Sequence, residues 1–265
     1  SPVRSGSMSR PLLTPEDPSP VEVLPGHDAR LLLVCDHAST QVPLALHHLG
    51  LPGEVRSQHV AFDRGARQLT ERLSQRLGAP AVLSGFSRLV IDLNRDPSSY
   101  NSIPAESDGI TVPGNQGLDR SDRVARRVEL FDRYHWAVAN ALDDARAAGV
   151  TPAVVNVHSV TPALADGVHR PWQIGLLWRH DDRLVRPLQE HLQREPGLAV
   201  GDNEPYSGHV HEGYTLPHHA EHPRLAHLLL EVRDDQLATD GGLSELADRL
   251  CVALDVARGN LVAEH

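Results

Sequence analysis

Acidic residues and histidines follow hydrophobic segments of this 265-residue sequence at widely separated positions. The run LLLVCDH ends at His37, the run AVVNVH ends at His158, and the run AHLLLEVR carries Glu231. Short apolar runs rich in aliphatic residues are typical of buried strands in a parallel sheet. Because the carboxyl ends of such strands lie along one edge of the sheet, we expect these imidazoles and carboxylates to meet there.

Two imidazoles beside a carboxylate are a ligand set that Zn²⁺ accepts, and a catalytic zinc site keeps a fourth position for water. His37 and His158 are two candidate ligands. The third is left open by the pattern: Asp63 in HVAFDRGA, or the neighbouring Asp36 or His59. No HExxH signature is present, so the alternative is that each histidine is a hydrogen-bonded structural residue.

The elements that must position these residues alternate along the chain. Residues 62–79 repeat apolar side chains at helical spacing and end at Gly78, which predicts a helix. The remaining pattern predicts helices over 119–148, 181–195 and 242–261, and strands at 80–86, 88–95 and 172–178. The alternation predicts an α/β fold: a mostly parallel mixed sheet with helices on both faces.

Composition restricts the partners. The formal net charge of −10 gives no reason to expect nucleic acid, and no apolar stretch is long enough to cross a membrane. With only Cys35 and Cys251, no disulfide framework is expected, and we expect a cytoplasmic protein. Residues 1–20 are interpreted as a tag remnant and an irregular N-terminal segment, and residues 21–265 as a single domain. Residues 9–30, rich in proline and acidic groups, are expected to be an irregular lead-in. The long excursion over 96–121 is expected to be functional or disordered.

Eight segments, in order between about residues 34 and 237, resemble the N-formylglutamate amidohydrolase family: CDHAS, HVAFDRGA, FSRLVIDLNR, VPGN, VHSVTP, RPWQIGLL, GDNEPYSG and LEVRDDQL. The resemblance implies a zinc carboxypeptidase-like fold and cleavage of a small N-acyl amino acid, by default N-formyl-L-glutamate to formate and glutamate. The alternatives are a deacylase or peptidase for another acyl amino acid or short peptide, and a non-catalytic metal or metabolite binder. The motif HAS replaces the HSG of many members, which weakens the assignment of the substrate but not that of the metal.

The resemblance also implies roles for single residues. His37, Asp63 and His158 correspond to the ligands of one zinc ion per chain, and Asp36 is a weaker match because many members have a non-acidic residue there. Glu231 corresponds to the catalytic glutamate, which can pass a proton from water to the leaving nitrogen. Arg88 is assigned to the oxyanion that forms during attack on the amide.

The remaining implied contacts are with the substrate. Asn94 and Arg95 match an asparagine and arginine pair that grips a carboxylate, a task for which the guanidinium fork is suited. Arg170, Asn203 and Tyr206 are expected to furnish the rest of the wall, and His219 lies in a segment, YT…HA, that is expected to close over the site.

Overall fold

The computed structural model of the chain describes residues 11–163, 167–210 and 213–263, so residues 1–10 of the expected tag remnant lie outside it. The strands in these ranges are β1 (Val21–Leu24), β2 (Leu31–Cys35), β3 (Ala81–Ser84), β4 (Glu106–Ser107), β5 (Ile110–Thr111), β6 (Ala153–Val160), β7 (Ile174–Leu177), β8 (Val200–Asp202) and β9 (His227–Arg233). The α-helices are α1 (Gly53–Arg56), α2 (Ala66–Leu77), α3 (Arg120–Arg126), α4 (Asp132–Ala147), α5 (Val185–Leu192) and α6 (Asp240–Ala263).

Seven of these strands form one sheet in the order β1-β3-β2-β6-β9-β7-β8. Strands β3, β2, β6 and β9 run parallel to one another, whereas β1 at one edge and β7 with β8 at the other run in the opposite direction. The sheet is therefore mixed, with four central parallel strands, and the predicted α/β architecture is confirmed. Strands β4 and β5 form a separate hairpin.

Hydrophobic cores lie on both faces of the sheet. Side chains of a strand alternate between faces, and in β2 Leu31 and Leu33 enter one core while Leu32 and Val34 enter the other. Helices α2, α5 and α6 cover the first face, and α4 covers the second together with irregular chain between 86 and 112. Burial on both faces explains why β2 reads as a continuous apolar run rather than an alternating one.

Two of the predicted segments differ from the structure, one expected to be irregular and one expected to be a strand. The expected irregular lead-in contains β1, which pairs with β3. The strand predicted over 88–95 is wrong, because these residues form turns. Their apolar side chains are still buried, and polar side chains replace the hydrogen bonds of a strand ladder: Ser87 Oγ accepts from the Leu89 amide, and Asp92 Oδ1 accepts from the Asn94 amide.

The long helix predicted over 119–148 is divided. Helix α3 begins with a capping box between Asp119 and Asp122, and a π-helical turn over Arg127–Phe131 separates it from α4. The side chain of Arg126, at the end of α3, is buried and donates to the carbonyl oxygens of Val90 and Gly114. Buried side chains thus lie on both sides of the π-helical turn, Arg126 before it and Tyr134 after it.

The excursion over 96–121 contains the β4–β5 hairpin, whose turn residues Asp108 and Gly109 both have positive φ angles. Within the described ranges, no helix has the length and apolar character needed to cross a membrane.

Candidate active site

Polar side chains lie at the carboxyl ends of three adjacent strands, at one edge of the sheet. Asp36 and His37 directly follow β2, while His158 and Glu231 lie near the ends of β6 and β9. His158 is paired with Glu231 in the parallel register of β6 and β9. The sheet order β2-β6-β9 therefore brings together residues separated by nearly 200 positions in sequence.

Asp63 reaches the same edge from the start of α2. Its backbone amide donates to the His37 carbonyl oxygen at 3.0 Å, and its Oδ2 accepts from the Ser159 amide at 3.2 Å. Gly65 then makes the turn into the helix with a φ of 74°. A Cβ atom at this position would lie 2.5 Å from the Leu237 Cβ, so both conformation and space require glycine.

His37, Asp63 and His158 form a compact buried group whose ligand atoms all lie within 4.8 Å of one another. Asp63 Oδ2 is 2.8 Å from His158 Nδ1 and 3.5 Å from His37 Nδ1. Among the described residues, His37 Nδ1 has no hydrogen-bond partner although it is buried. Such a nitrogen is expensive to bury unless something else binds it.

The opposite nitrogen of each imidazole lies against a second carboxylate. His37 Nε2 is 2.7 Å from Asp92 Oδ1, and His158 Nε2 is 3.2 Å from Asp36 Oδ2. Because carboxylates accept hydrogen bonds, both Nε2 atoms carry a proton, and each ring turns Nδ1 toward Asp63. This is the arrangement found behind metal-ligating histidines.

The charges of the group are strongly coupled. Burial would lower the pKa of His158, but its hydrogen bonds with Asp36 and Asp63 raise that pKa to about 10. Burial likewise opposes ionisation of Asp63, yet the histidines hold the pKa of this carboxyl well below its usual range. Asp63 is therefore ionised, as a carboxylate that binds a metal ion must be.

This donor set fits a zinc ion. Ligand atoms of tetrahedral zinc, with bonds of about 2.0–2.1 Å, lie ~3.4 Å from one another. The two separations from Asp63 Oδ2, 2.8 Å and 3.5 Å, bracket that value, and the whole set lies within 4.8 Å. Two neutral imidazoles, one carboxylate and an open side toward the cavity are what a catalytic rather than a structural zinc site offers.

Glu231 and Arg88 lie at the same edge. Glu231 Oε2 is buried without a hydrogen-bond partner in the described part of the chain. Burial raises the pKa of Glu231 to about 7. Arg88 Nη2 donates to Asp92 Oδ2 at 2.9 Å, and Nη1 lies 3.6 Å from Asp63 Oδ1. The carboxylates thus hold the guanidinium beside the candidate metal group.

A cavity of about 770 Å³ opens over this edge. Ten of the expected site residues line it: His37, Asp63, His158, Glu231, Arg88, Asn94, Arg95, Arg170, Tyr206 and His59. The β4–β5 hairpin forms part of the mouth, where His59 Nε2 lies 2.8 Å from Asp108 Oδ2. Three arginines make the wall suited to an anionic ligand.

Asn94 and Arg170 are also engaged with the surrounding chain. Asn94 Oδ1 accepts from the amides of Tyr214 and Thr215, which leaves Nδ2 as its donor. Arg170 is buried, and it donates to the Thr161 carbonyl oxygen at 2.5 Å and to the Tyr206 hydroxyl at 2.7 Å. Both residues therefore shape the wall as well as line it.

Two expected wall residues lie away from the cavity lining. Asn203 Oδ1 accepts from the amides of Trp178 and Gly208, so this side chain organises its own loop. His219 is buried in a π-helical turn over Pro217–Glu221, where its Nε2 lies 2.9 Å from Nδ1 of His135. Neither is among the residues that line the 770 Å³ cavity.

The other candidates for a third ligand are placed differently from Asp63. His59 is half-exposed at the cavity mouth, and Asp36 lies behind His158 on the side away from Asp63. The supporting role of Asp36 and the whole role of Asp92 were missed in the sequence interpretation. A signal for Asp92 was present, since an acidic residue inside the apolar run LVIDL requires a buried partner.

Comparisons with known proteins agree with the resemblance noted in the sequence. The family model for N-formylglutamate amidohydrolase matches residues 29–238. The gene product Atu2144 of Agrobacterium tumefaciens has a similar structure, with a TM-score of 0.85 and 33% identity over 95% of this chain and 98% of that one. N-formylglutamate amidohydrolase from Ralstonia eutropha shares the fold at a TM-score of 0.62, with 21% identity over 92% of this chain and 99% of that one. A comparison with curated proteins finds no match. The chain therefore belongs to the N-formylglutamate amidohydrolase family and is an amidohydrolase.

Proposed function

We propose that this amidohydrolase depends on one zinc ion per chain and cleaves a small N-acyl amino acid, with N-formyl-L-glutamate as the first substrate to test. Its products would be formate and glutamate, which belong to amino-acid metabolism. The observation that carries the proposal is the juxtaposition of the His37, Asp63 and His158 group with the unpartnered carboxylate of Glu231 in one cavity.

His37 Nδ1, Asp63 and His158 Nδ1 would hold the zinc ion. When bound, zinc lowers the pKa of water toward neutrality and polarises a carbonyl oxygen. The chain's own contribution begins with Asp92 and Asp36, which keep the two imidazole rings in the required orientation. The backbone hydrogen bond from the Asp63 amide to the His37 carbonyl oxygen keeps these two ligand-bearing residues next to each other.

Glu231 would carry the proton. Its Oε2 faces no competing donor in the described chain, and the carboxylate lines the cavity beside the metal group. It accepts one proton as the water oxygen bonds to the amide carbon, and it donates that proton to the nitrogen as the carbon–nitrogen bond breaks. One residue acting as base and then as acid keeps the proton balance of hydrolysis.

Arg88 would stabilise the negative charge that develops on the amide oxygen. Its guanidinium is already held in place by Asp92 and lies beside Asp63, so little reorganisation is needed during the reaction. Preorganised donors of this kind are worth about 3 kcal/mol in other hydrolases.

Asn94 Nδ2 and Arg95 would bind a carboxylate of the substrate, since both residues line the cavity, as Arg88 does. Arg170 and Tyr206 would form the opposite part of the wall. Asn203 and His219 would act only through the loops that they hold, because neither lines the cavity.

A larger acyl group is the second candidate. The cavity of about 770 Å³ lies in the upper part of the range of about 300–1,000 Å³ typical of small-molecule sites, and a formyl group needs little of it. We therefore include longer acyl amino acids and dipeptides among the substrates to be tested.

The decisive experiment measures metal content and substrate range together. The purified chain is analysed for metals, and initial rates are compared on N-formyl-L-glutamate, N-acetyl-L-glutamate and dipeptides, with and without a chelator. We expect one zinc ion per chain and a higher initial rate on N-formyl-L-glutamate than on the other substrates. The chelator should abolish the activity, and added zinc should restore it. A stoichiometric metal without turnover of any acyl amino acid would contradict the proposal and favour a binding protein.

We also propose a cytoplasmic location, supported by two unpaired cysteines, Cys35 and Cys251. That residues 21–265 act as a single domain stays a prediction. Fractionation of the source cells and limited proteolysis of the purified chain would test these two points.

A further inference from the structure

The carboxylate of Asp36 is fully buried and accepts four hydrogen bonds from side chains. Its Oδ1 accepts from the Tyr134 hydroxyl at 2.8 Å and from Thr215 Oγ1 at 2.9 Å. Its Oδ2 accepts from Asn156 Nδ2 at 2.6 Å and from His158 Nε2 at 3.2 Å. Four donors on one buried carboxylate fix its orientation, because rotation would leave several of them without an acceptor.

The two oxygens of Asp36 have partners of different kinds. Oδ1 faces hydroxyl groups, which can rotate and either donate or accept. Oδ2 faces the N–H groups of Asn156 and His158, which only donate at this position. The His158 ring is therefore held with Nε2 toward Asp36 and with Nδ1 toward Asp63 Oδ2, at 2.8 Å.

Thr215 connects this arrangement to the rest of the cavity wall. The backbone amides of Tyr214 and Thr215 donate to Asn94 Oδ1, and the backbone amide of Asn94 donates to Asp92 Oδ1. Asp92 is the carboxylate behind His37. One short segment of chain is thus hydrogen-bonded to both supporting carboxylates, directly to Asp36 and through Asn94 to Asp92.

We propose that Asp36 is a positioning residue that presents His158 Nδ1 to the metal, and that the Thr215 hydroxyl holds Asp36 in place for this task. The inference rests on the proposed metal-binding role of His158. Neither residue lines the cavity, so both act through His158 rather than on the substrate. A carboxylate behind a ligating histidine fixes its tautomer and raises its basicity, and its loss typically weakens metal binding by about 10- to 100-fold.

The variant Asp36→Asn tests the charge without changing the shape. Its amide nitrogen can take the place of Oδ1 and donate to the two hydroxyls, while its oxygen still accepts from Asn156 and His158. We expect its Kd for Zn²⁺, measured by competition with a chromogenic chelator, to rise by about 10- to 100-fold. The exposed Asp143→Asn on α4 removes the same charge and should leave the Kd unchanged.

A spectroscopic readout follows the hydrogen bond itself. In the zinc-loaded protein with ¹⁵N-labelled histidine, the Nε2–H proton of His158 should resonate far downfield because a carboxylate accepts it. In Asp36→Asn this resonance should move upfield, and that of His37 should stay in place.

If Asp36→Asn does not fold, a second pair of variants tests whether the Thr215 hydroxyl holds Asp36 in place. Thr215→Val removes the hydroxyl and keeps the size, so zinc affinity should fall several-fold, whereas Thr215→Ser keeps the hydroxyl and should restore it. Equal weakening in both Thr215 variants would overturn the assigned role of the hydroxyl.

The outcomes separate the two proposals. If the unaltered chain binds zinc and hydrolyses its substrate, but Asp36→Asn binds zinc equally tightly with an unmoved His158 resonance, the positioning role alone is overturned. If the unaltered chain binds no zinc, the metal proposal fails and this inference fails with it.

Discussion

A buried pair of histidines predicts that the protein loses stability when the pH falls below neutrality. His135 Nε2 donates to the Leu93 carbonyl oxygen at 2.8 Å, which leaves its Nδ1 to accept from His219 Nε2 at 2.9 Å. The two rings stack with an interplanar angle of 17°, and both side chains are buried. In this arrangement each ring carries one proton, and a second proton on His135 Nδ1 would face the N–H group of His219 instead of an acceptor.

The pKa shifts of the pair follow from that environment. Burial lowers the pKa of His135 to about 4 and the pKa of His219 to about 3. The Asp36 carboxylate opposes both shifts, whereas His218 adds to them. The unfolded chain has ordinary histidine pKa values near 6.5. Below about this pH, the unfolded chain therefore binds more protons than the folded chain. The pair's contribution to stability is present above about pH 6.5 and is lost as the pH falls toward the folded-state values.

The size of the effect comes from linkage. Between about pH 7 and about pH 5.5, the unfolded state gains most of one proton per histidine while the folded state stays neutral. Proton linkage then gives a loss of about 1.3 kcal/mol for each histidine and about 2.5 kcal/mol for the pair. The result depends little on the folded-state values as long as these remain below about 4.5.

The assay is urea unfolding of the metal-free protein at both pH values, with His219→Gln as the test variant. Glutamine keeps a donor near the Nε2 position but does not titrate. Other groups also titrate in this range, so the quantity compared is the difference in pH dependence between the two proteins. The free energy of unfolding of the variant should fall by about 1.3 kcal/mol less than that of the unaltered chain. The exposed His222→Gln serves as a control: between the two pH values its free energy of unfolding should change by the same amount as that of the unaltered chain.

A parallel pH dependence of the unaltered chain and His219→Gln would refute this reasoning. It would mean that His219 takes up protons in the folded state as readily as in the unfolded one. The folded structure would then not disfavour the protonated form of His219, and the buried stacked arrangement could not be the cause of a lowered pKa.

Three other perturbations have defined outcomes. Glu231→Gln removes the proton acceptor, so kcat should fall by about 10²- to 10⁴-fold with zinc content unchanged by elemental analysis; full activity would remove Glu231 from the mechanism. Chelation should lower the Tm measured by calorimetry, because an ion that binds only the folded state stabilises it, and zinc but not Mg²⁺ should restore it. Asn115→Ala deprives the buried Arg126 of a partner, so the free energy of unfolding should fall by about 2–4 kcal/mol in urea titrations, against under about 1 kcal/mol for the exposed Gln116→Ala.

The strands at the centre of the sheet were predictable because each is an uninterrupted apolar run that stops at polar residues. That pattern identified the ends of β2, β6 and β9, and the rule that parallel strands end at one edge brought His37, His158 and Glu231 together. The failure over 88–95 has a physical cause. Apolar periodicity reports burial rather than ladder hydrogen bonds, and here side chains such as Asp92 satisfy the backbone instead.

The partners of the functional side chains could not be predicted in the same way. The contact of Asp36 with Thr215 joins residues 179 positions apart, and it depends on how a loop with no periodic pattern passes the end of β2. The same holds for Asn203 and His219, whose residue types predict polar contacts but do not identify the residues that they contact. Sequence patterns constrain which strand ends meet, whereas side-chain direction in the loops is fixed only by packing.

The reversed direction of β7 has a consequence for how this active site can vary. Strand β6 ends at the edge where His158 lies, and β7 starts at that same edge on the far side of β9, with Ile174 paired to Val232. The described residues of the connection between them, 161–163 and 167–173, therefore begin and end at this edge. Arg170 is carried on this span. The length and composition of this connection can change while every strand keeps its register. It is therefore the segment to exchange between relatives when the acyl preference is to be redesigned.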